Sequence, residues 1–302
     1  MTAIDIDHLR QWIGRTRETV DVVTPRLAAN LAAILGEDGA VEDGAPAPVG
    51  IHWCLSPDIA PMAALGPDGH PARGGFLPPV PFPRRMWAGG ALTFSGDFRV
   101  GDVVARRSRI DDVTLKQGGT GPLCFVTVTH DYTTPRGLAL SERQDIVYRE
   151  LEAKPSVAPS SAAPPLQSPP PPPGEPERTQ ALEATPVLLF RYSAITFNGH
   201  RIHYDRSYCR EEENYPGLVV HGPLQATCLL RMAIDMGGGT PDRFSFRGLR
   251  PLFDGQTCTI NGRRADGTTE LWVADAAGHV TMKASAGKAS AGNASATKAG
   301  AA

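Results

Sequence analysis

Two histidines in the second half of the chain stand among residues that could carry out acid–base chemistry. His200 and His203 lie within a short polar run that extends from Asn198 to Asp205. Histidine is the side chain that exchanges protons most readily near neutral pH. A purely structural core rarely tolerates so many adjacent polar groups without partners. The run therefore indicates a functional site, with His203 as the predicted proton-transfer residue.

A second feature that could carry out chemistry is the start of a predicted helix at His221-Gly222-Pro223. Proline fits the first helical turn because its missing N–H would be unpaired there in any case. A helix N-terminus offers free N–H donors and a dipole that favours negative charge, and glycine allows a ligand to approach the backbone. Gly222 is therefore a candidate donor to an oxyanion. His221 could contact a substrate, and a packing or capping role explains it equally well.

The motif as a whole resembles a known enzyme family. The segments Tyr192–Asp205 and Tyr215–Leu224 resemble the MaoC-like, R-type enoyl-thioester hydratases and dehydratases. More narrowly, they resemble the branch with a FAS1-like dehydratase N-terminal domain. That branch contains mesaconyl-C4-CoA (3-methylfumaryl-CoA) hydratases and type-2 hydroxyacyl-thioester dehydratases. The stretch from His70 to Gly90 resembles the mesaconyl-C4-CoA hydratases, so the similarity covers nearly the whole chain apart from a linker and a tail.

The resemblance implies an α+β double hot-dog fold, in which two antiparallel sheets each wrap around a long helix. It also implies reversible hydration of an enoyl-CoA, with a short branched dicarboxylic thioester such as mesaconyl-C4-CoA as the favoured substrate. Itaconyl-type and fatty-acyl chains are the alternative substrates. No metal and no cofactor is implied beyond the coenzyme A that the substrate carries. The predicted catalytic residues are His203, Asn198 and Gly222, and the predicted substrate-binding residues are His200, Arg201, Tyr204, Asp205 and His221.

Asn198 departs from the pattern of the wider family, which has an aspartate five residues before the histidine. An amide cannot transfer a proton, although it can orient water or the thioester. Either Asn198 positions water while His203 performs all proton transfer, or Asp205 or His200 assists. Arg201 could bind a CoA phosphate or a substrate carboxylate, and it is equally well explained as a solvated arginine. A hot-dog thioesterase and a non-catalytic acyl-CoA-binding subunit are the alternative functions.

Composition narrows the classes of partner. The formal net charge is −2, which does not favour nucleic acid as a ligand. Apolar runs are too short to span a bilayer, and the acidic first residues lack the basic start of a secretory signal. The five cysteines are scattered without CxxC spacing, so neither a disulfide framework nor a zinc site is expected. We therefore expect a cytoplasmic protein with an acyl-CoA substrate, as a monomer or a homodimer.

The elements that must position these residues fall into two predicted domains. Five consecutive prolines, Pro169 to Pro173, indicate an extended linker because proline fixes φ and lacks a donor. The predicted boundaries are 1–152 for the N-terminal hot-dog domain, 153–180 for the linker, 181–283 for the C-terminal MaoC-like domain and 284–302 for a disordered tail. Helices are predicted around residues 9–13 and over 25–35 and 223–236. Strands are predicted over 49–55, 86–98, 105–114, 124–133, 138–148, 187–191, 243–249, 256–264, 268–274 and 279–284.

Overall fold

A computed structural model describes residues 4–37, 42–118, 121–150 and 171–288. The helices are α1 Ile6–Arg10, α2 Pro25–Ile34, α3 Pro186–Ile195, α4 Arg206–Glu211 and α5 Gly222–Gly237. The strands are β1 Thr16–Val22, β2 Arg84–Phe94, β3 Val103–Gly118, β4 Gly121–Thr134, β5 Gly137–Arg149, β6 Arg178–Glu183, β7 Arg243–Gly248, β8 Thr257–Ala265, β9 Thr268–Ala274 and β10 Val280–Gly287. Short 3₁₀ turns cover Ile51–Cys54, Met62–Ala64 and Arg201–His203.

All ten strands form one sheet, in the order β1-β3-β4-β5-β2-β7-β10-β9-β8-β6. Read from its outer edge inwards, the first half has the order β1-β3-β4-β5-β2 and the second half has the order β6-β8-β9-β10-β7. The second half therefore repeats the topology of the first. The halves join where β2 pairs with β7, with Gly90 opposite Phe246. This arrangement confirms the α+β double hot-dog predicted from the sequence, except that the two predicted sheets are joined into one.

Among the described residues, the long central helix belongs to the second half alone. Helix α5 has sixteen residues and buries Leu224, Leu229 and Met232 in the main core. At the corresponding place in the first half, between α2 and β2, the described chain forms only short 3₁₀ turns. Ile51, in the first of these turns, packs into the same core cluster as α5. The two halves therefore share a core centred on one long helix.

Two predicted strands are wrong. Residues 187–191 belong to helix α3, because Pro186 occupies its first turn and the Thr185 hydroxyl accepts a hydrogen bond from the Leu188 N–H at 3.2 Å. This cap overrides the strand preference of an apolar run. Residues 49–55 form a 3₁₀ turn rather than a strand, because Gly50 adopts a left-handed conformation with φ of 83° that breaks the extension. The predicted helices at 25–35 and 223–236 and the other predicted strands are present, with bounds shifted by a few residues.

The predicted domain boundaries differ from the observed strand ends. Strand β6 begins at Arg178, inside the predicted linker, and β10 continues to Gly287, four residues beyond the predicted end of the domain. Residues 151–170 and 289–302 lie outside the described residues, so most of the linker and of the tail stay predictions. Across the described ranges, no helix combines the length and the apolar character needed to cross a bilayer.

A buried ion pair ties the halves together. Arg84 of β2 donates from Nε to Glu213 Oε2 at 2.8 Å, and the two side chains are 6% and 11% exposed. Breaking a buried pair leaves an uncompensated charge, which costs about 3–5 kcal/mol. We therefore expect Glu213→Ala to lower the free energy of unfolding by that amount in a urea titration. The control is Glu177→Ala, which removes an exposed pair with Arg264 and should cost less than about 1 kcal/mol. Equal losses from the two variants would contradict this account.

Candidate active site

A cavity of about 2210 Å³ is lined by residues of both halves. The C-terminal half contributes the segment from Phe197 to Tyr204 and the start of α5 at Gly222. The N-terminal half contributes His70 and part of β2, including Arg85. The structure thus brings most of the predicted site residues to one cavity, together with N-terminal side chains that were not predicted to act there.

His203 lies at the end of the 3₁₀ turn Arg201–His203 and is 7% exposed. Its Nδ1 lies 2.7 Å from the carbonyl oxygen of Val219. A carbonyl can only accept, so Nδ1 carries the proton and Nε2 keeps its lone pair. Burial lowers the pKa of His203 to about 4, against the opposing effect of the hydrogen bond to Val219. The imidazole is therefore neutral at pH 7, with Nε2 able to accept a proton.

The ring of His221 packs against the imidazole of His203. Its ring stacks on that of His203 with centroids 3.7 Å apart and an interplanar angle of 18°. Its Nε2 pairs with the hydroxyl of Ser193 at 2.8 Å, and the residue is 1% exposed. Burial lowers the pKa of His221 well below its usual value, so this ring is also neutral. His221 does not line the cavity, which favours the packing role over direct substrate contact.

Gly222 is the first residue of α5, and His221 is the N-cap. N–H groups in the first turn of a helix lack partners within the helix, and the dipole places partial positive charge there. The Trp87 ring packs directly on Gly222: a Cβ at this position would lie 2.8 Å from Trp87 Cε3. Only glycine leaves room for this contact, and Gly222 also lines the cavity.

Asn198 shapes the loop that carries the histidines. Its side-chain oxygen accepts a hydrogen bond from the His200 N–H at 3.0 Å, and its own N–H donates to the Ser193 carbonyl at 2.8 Å. The amide oxygen is therefore occupied within the loop. A role for Asn198 in orienting water stays a prediction.

Arg201, Tyr204 and Asp205 are also engaged in holding the loop. Arg201 pairs with Asp205 at 2.8 Å, and Asp205 caps α4 by accepting from the Tyr208 N–H at 3.0 Å. The Tyr204 hydroxyl donates to the Gly199 carbonyl at 2.9 Å. Arg201 and Tyr204 line the cavity, whereas Asp205 does not. Substrate contact thus stays a prediction for all three residues, and the observed contacts of Asp205 stabilise the loop and the start of α4.

A backbone contact between the halves brings in two residues that the sequence analysis missed. The Arg201 N–H donates to the carbonyl of Asp68 at 2.9 Å. Gly69 has φ of 87°, and a Cβ there would lie 2.0 Å from the Gly199 carbonyl oxygen. The two loops therefore touch backbone to backbone, which places Asp68 and His70 at the site. Local sequence patterns do not predict the contact between Gly69 and Gly199, because the two glycines are far apart along the chain.

His70 completes a row of imidazole rings. Its Nδ1 lies 2.9 Å from Asp68 Oδ2, and its ring centroid lies 4.1 Å from that of His200, which lies 5.5 Å from that of His203. Burial lowers the pKa values of His70 and His200. Burial raises the pKa of Asp68, but the hydrogen bond and charge of His70 outweigh that effect and hold it below its usual value. Asp68 is therefore an ionised hydrogen-bond acceptor.

Asp68, His70 and His200 are also residue types that can bind a metal ion. One donor atom from each of Asp68, His70 and His200 lies within 4.8 Å of the other two. The Asp68–His70 hydrogen bond already occupies the Nδ1 of His70 and one carboxylate oxygen. The other carboxylate oxygen of Asp68 accepts a hydrogen bond from the His70 backbone N–H at 3.0 Å, so both oxygens already have partners. The arrangement thus fits an oriented imidazole better than a metal centre.

Comparisons with known proteins show the family of the chain. Residues 50–254 match the family model for hydroxyacyl-thioester dehydratase type 2. The chain is 42% identical over 272 residues to the mesaconyl-C(4)-CoA hydratase of Chloroflexus aurantiacus, which covers 86% of this chain and 94% of the relative. It is 26% identical over 252 residues to the mitochondrial hydroxyacyl-thioester dehydratase type 2 of Schizosaccharomyces pombe, covering 74% and 79% of the two chains.

Solved structures share the fold at lower identity. A MaoC-like dehydratase from Phytophthora capsici superposes with a TM-score of 0.64 at 14% identity, covering 95% of this chain and all of that one. HtdX of Mycobacterium tuberculosis gives a TM-score of 0.61 at 18% identity, covering 91% of this chain and all of that one. Another protein of that organism, described as a double hotdog fold, gives 0.52 at 14% identity, covering 91% and 95%. By its sequence match over most of its length, the chain belongs to the hydroxyacyl-thioester dehydratase type 2 family.

Proposed function

We propose that this protein is a hydro-lyase that reversibly adds water to a short dicarboxylic enoyl-CoA such as mesaconyl-C4-CoA. The observation that carries the proposal is the 42% identity to a mesaconyl-C(4)-CoA hydratase across nearly the full length of both chains. The cavity supports it, because a neutral histidine and a helix N-terminus belong to the same site.

Hydration of a conjugated thioester needs a base, a proton donor to carbon and donors for the developing enolate. His203 Nε2 takes a proton from water as the oxygen bonds to the β-carbon. The electrons of the double bond move onto the thioester oxygen, where the Gly222 N–H stabilises the charge. The enolate then collapses as the α-carbon takes up a proton. Water addition leaves the substrate at the same oxidation level, so the only coenzyme in the mechanism is the CoA of the substrate.

Arg85 supports a dicarboxylic rather than a simple enoyl substrate. It lines the cavity, is half-buried, and its positive charge opposes the effect of burial that raises the pKa of Tyr148. Its positive charge contributes to lowering the pKa values of His70 and His200, so it lies close to both. The neighbouring Arg84 is paired with Glu213, whereas no carboxylate of the described residues forms an ion pair with Arg85. Mesaconyl-C4-CoA carries its free carboxylate on the β-carbon, the carbon that water attacks, and Arg85 is our candidate to bind it.

Replacing Arg85 with glutamine should therefore reduce selectivity for the carboxylate. A charge-assisted hydrogen bond contributes about 1.5–3 kcal/mol, which corresponds to roughly 10–100-fold. We expect kcat/KM for mesaconyl-C4-CoA to fall by that factor while kcat/KM for crotonyl-CoA, which has no carboxylate, changes little. The control is Arg107→Gln, an exposed arginine of β3 outside the cavity. Parallel losses on both substrates would argue against a carboxylate contact.

The function itself is tested with the wild-type protein and a panel of enoyl-CoA thioesters. Loss of the conjugated-thioester absorbance without release of free thiol would support hydration. Release of free CoA thiol would instead identify a thioesterase. Tight binding of acyl-CoA without turnover would identify a binding subunit.

A further inference from the structure

An aspartate–histidine pair from the N-terminal half stands beside the histidines of the C-terminal half. His70 lines the cavity, and its ring lies 4.1 Å from that of His200. Asp68 holds it through Nδ1 at 2.9 Å. The backbone contact between Gly69 and Gly199 fixes this position.

The pair is arranged for proton transfer. An ionised carboxylate only accepts hydrogen bonds, so His70 donates from Nδ1 and keeps the Nε2 lone pair available. A carboxylate on the far nitrogen orients an imidazole and stabilises the imidazolium that forms when the ring gains a proton. Arg73 and Arg85 also face His70 and disfavour that cation, as does any positive charge on His200 or His203. Asp68 is thus the group that stabilises the protonated form of His70.

The C-terminal half offers no substitute for this carboxylate among its predicted site residues. Position 198 is an amide whose oxygen is bonded to the His200 N–H. Asp205 pairs with Arg201, caps α4 and does not line the cavity. We propose that the Asp68–His70 pair is the second proton-transfer unit of the site, supplying from the N-terminal half the carboxylate that position 198 lacks. This inference rests on the proposed hydration reaction.

The proton balance of the step is closed. Water loses one proton to His203 Nε2 as its oxygen forms the C–O bond at the β-carbon and the double-bond electrons move to the thioester oxygen. His203 releases that proton to solvent in the cavity, and His70 takes up one proton from solvent at Nε2, where Asp68 stabilises the imidazolium. The enolate electrons then form the C–H bond at the α-carbon with this proton, delivered from His70 Nε2. Every histidine returns to its neutral form.

The test uses full-length His70→Gln and Asp68→Asn, assayed with mesaconyl-C4-CoA. We expect His70→Gln to lower kcat by about 100-fold, the lower end of what a general acid–base contributes, with KM within about threefold. Without the carboxylate the pKa of His70 falls further. In Asp68→Asn, the part of the pH profile of kcat/KM that depends on protonation of His70 should therefore shift to lower pH. Added imidazole should restore part of the activity of His70→Ala, because the site opens on the cavity.

The matched controls are His279→Gln and Asp275→Asn, which alter an aspartate–histidine pair of the same composition on a surface turn with Nδ1 and Oδ2 3.2 Å apart. Both should leave kcat and the pH profile unchanged, and all variants should melt cooperatively. If the wild type is active and folded His70→Gln has the same kcat and pH profile, this inference is wrong and the proposed function still stands. Loss of wild-type activity on dialysis against a chelator, restored by Zn²⁺, would overturn it in favour of a metal centre. A wild type that hydrates no enoyl thioester would overturn both this inference and the proposed function.

Discussion

His203→Gln should lower kcat/KM for enoyl-CoA hydration by roughly 10³–10⁴-fold, the upper range for a lost general acid–base. Glutamine has a similar volume and polarity but cannot take up a proton, so the loss isolates the proton chemistry of the imidazole. Steady-state kinetics with mesaconyl-C4-CoA measures the effect. The surface variant His279→Gln, a substitution of the same type, should keep full activity. If folded His203→Gln retained wild-type kinetics on every substrate, the catalytic assignment would be wrong.

The wild type should also show an acid limb from the same residue. His203 acts as a base only when neutral, and burial lowers its pKa to about 4, so kcat/KM should fall as pH drops towards 4. Because the folded pKa lies below the usual 6.5, the unfolded chain binds the proton first. Stability from this group is therefore present above pH 6.5 and is lost between pH 6.5 and 4. Circular dichroism across that range must accompany the kinetics to separate inactivation from unfolding.

Gly69→Ala should reduce kcat/KM by roughly 10²–10³-fold although the residue carries no reactive group. A Cβ would lie 2.0 Å from the Gly199 carbonyl oxygen, and φ of 87° is strained for any residue with a side chain. The loops must separate, which moves His70 away from His200 and displaces the segment that ends at His203. A misplacement of about 1 Å can cost 10²-fold in rate.

Gly75→Ala is the matched control in the same loop. A Cβ at Gly75 meets nothing within 4 Å, so this variant should keep both activity and stability. Kinetics and thermal melts of the two variants measure the contrast. Similar behaviour of Gly69→Ala and Gly75→Ala would show that the contact with Gly199 does not position the site.

Local signals account for where sequence-based prediction succeeded and failed in the fold. Helix α5 has a proline in its first turn, an apolar face and a glycine stop, so its predicted range closely matches the structure. The run at 187–191 is apolar and favours a strand, but the cap formed by Thr185 and Pro186 starts a helix there instead. Strands β1 and β6 were missed because few of their residues are apolar and both lie at the edges of the sheet, where neither strand has a fully buried residue.

The sequence by itself determined the motif segment, the place of His203 within it and the missing carboxylate at Asn198, because these are contiguous or closely spaced residues. It also determined the helix start at Gly222, since capping and turn preferences act over a few residues. Only the tertiary structure decided which nitrogen of His203 is free, because its tautomer depends on the Val219 carbonyl sixteen residues away. Only the tertiary structure brought Asp68 and His70 to the site. That approach depends on two distant glycines whose lack of side chains lets the two loops touch.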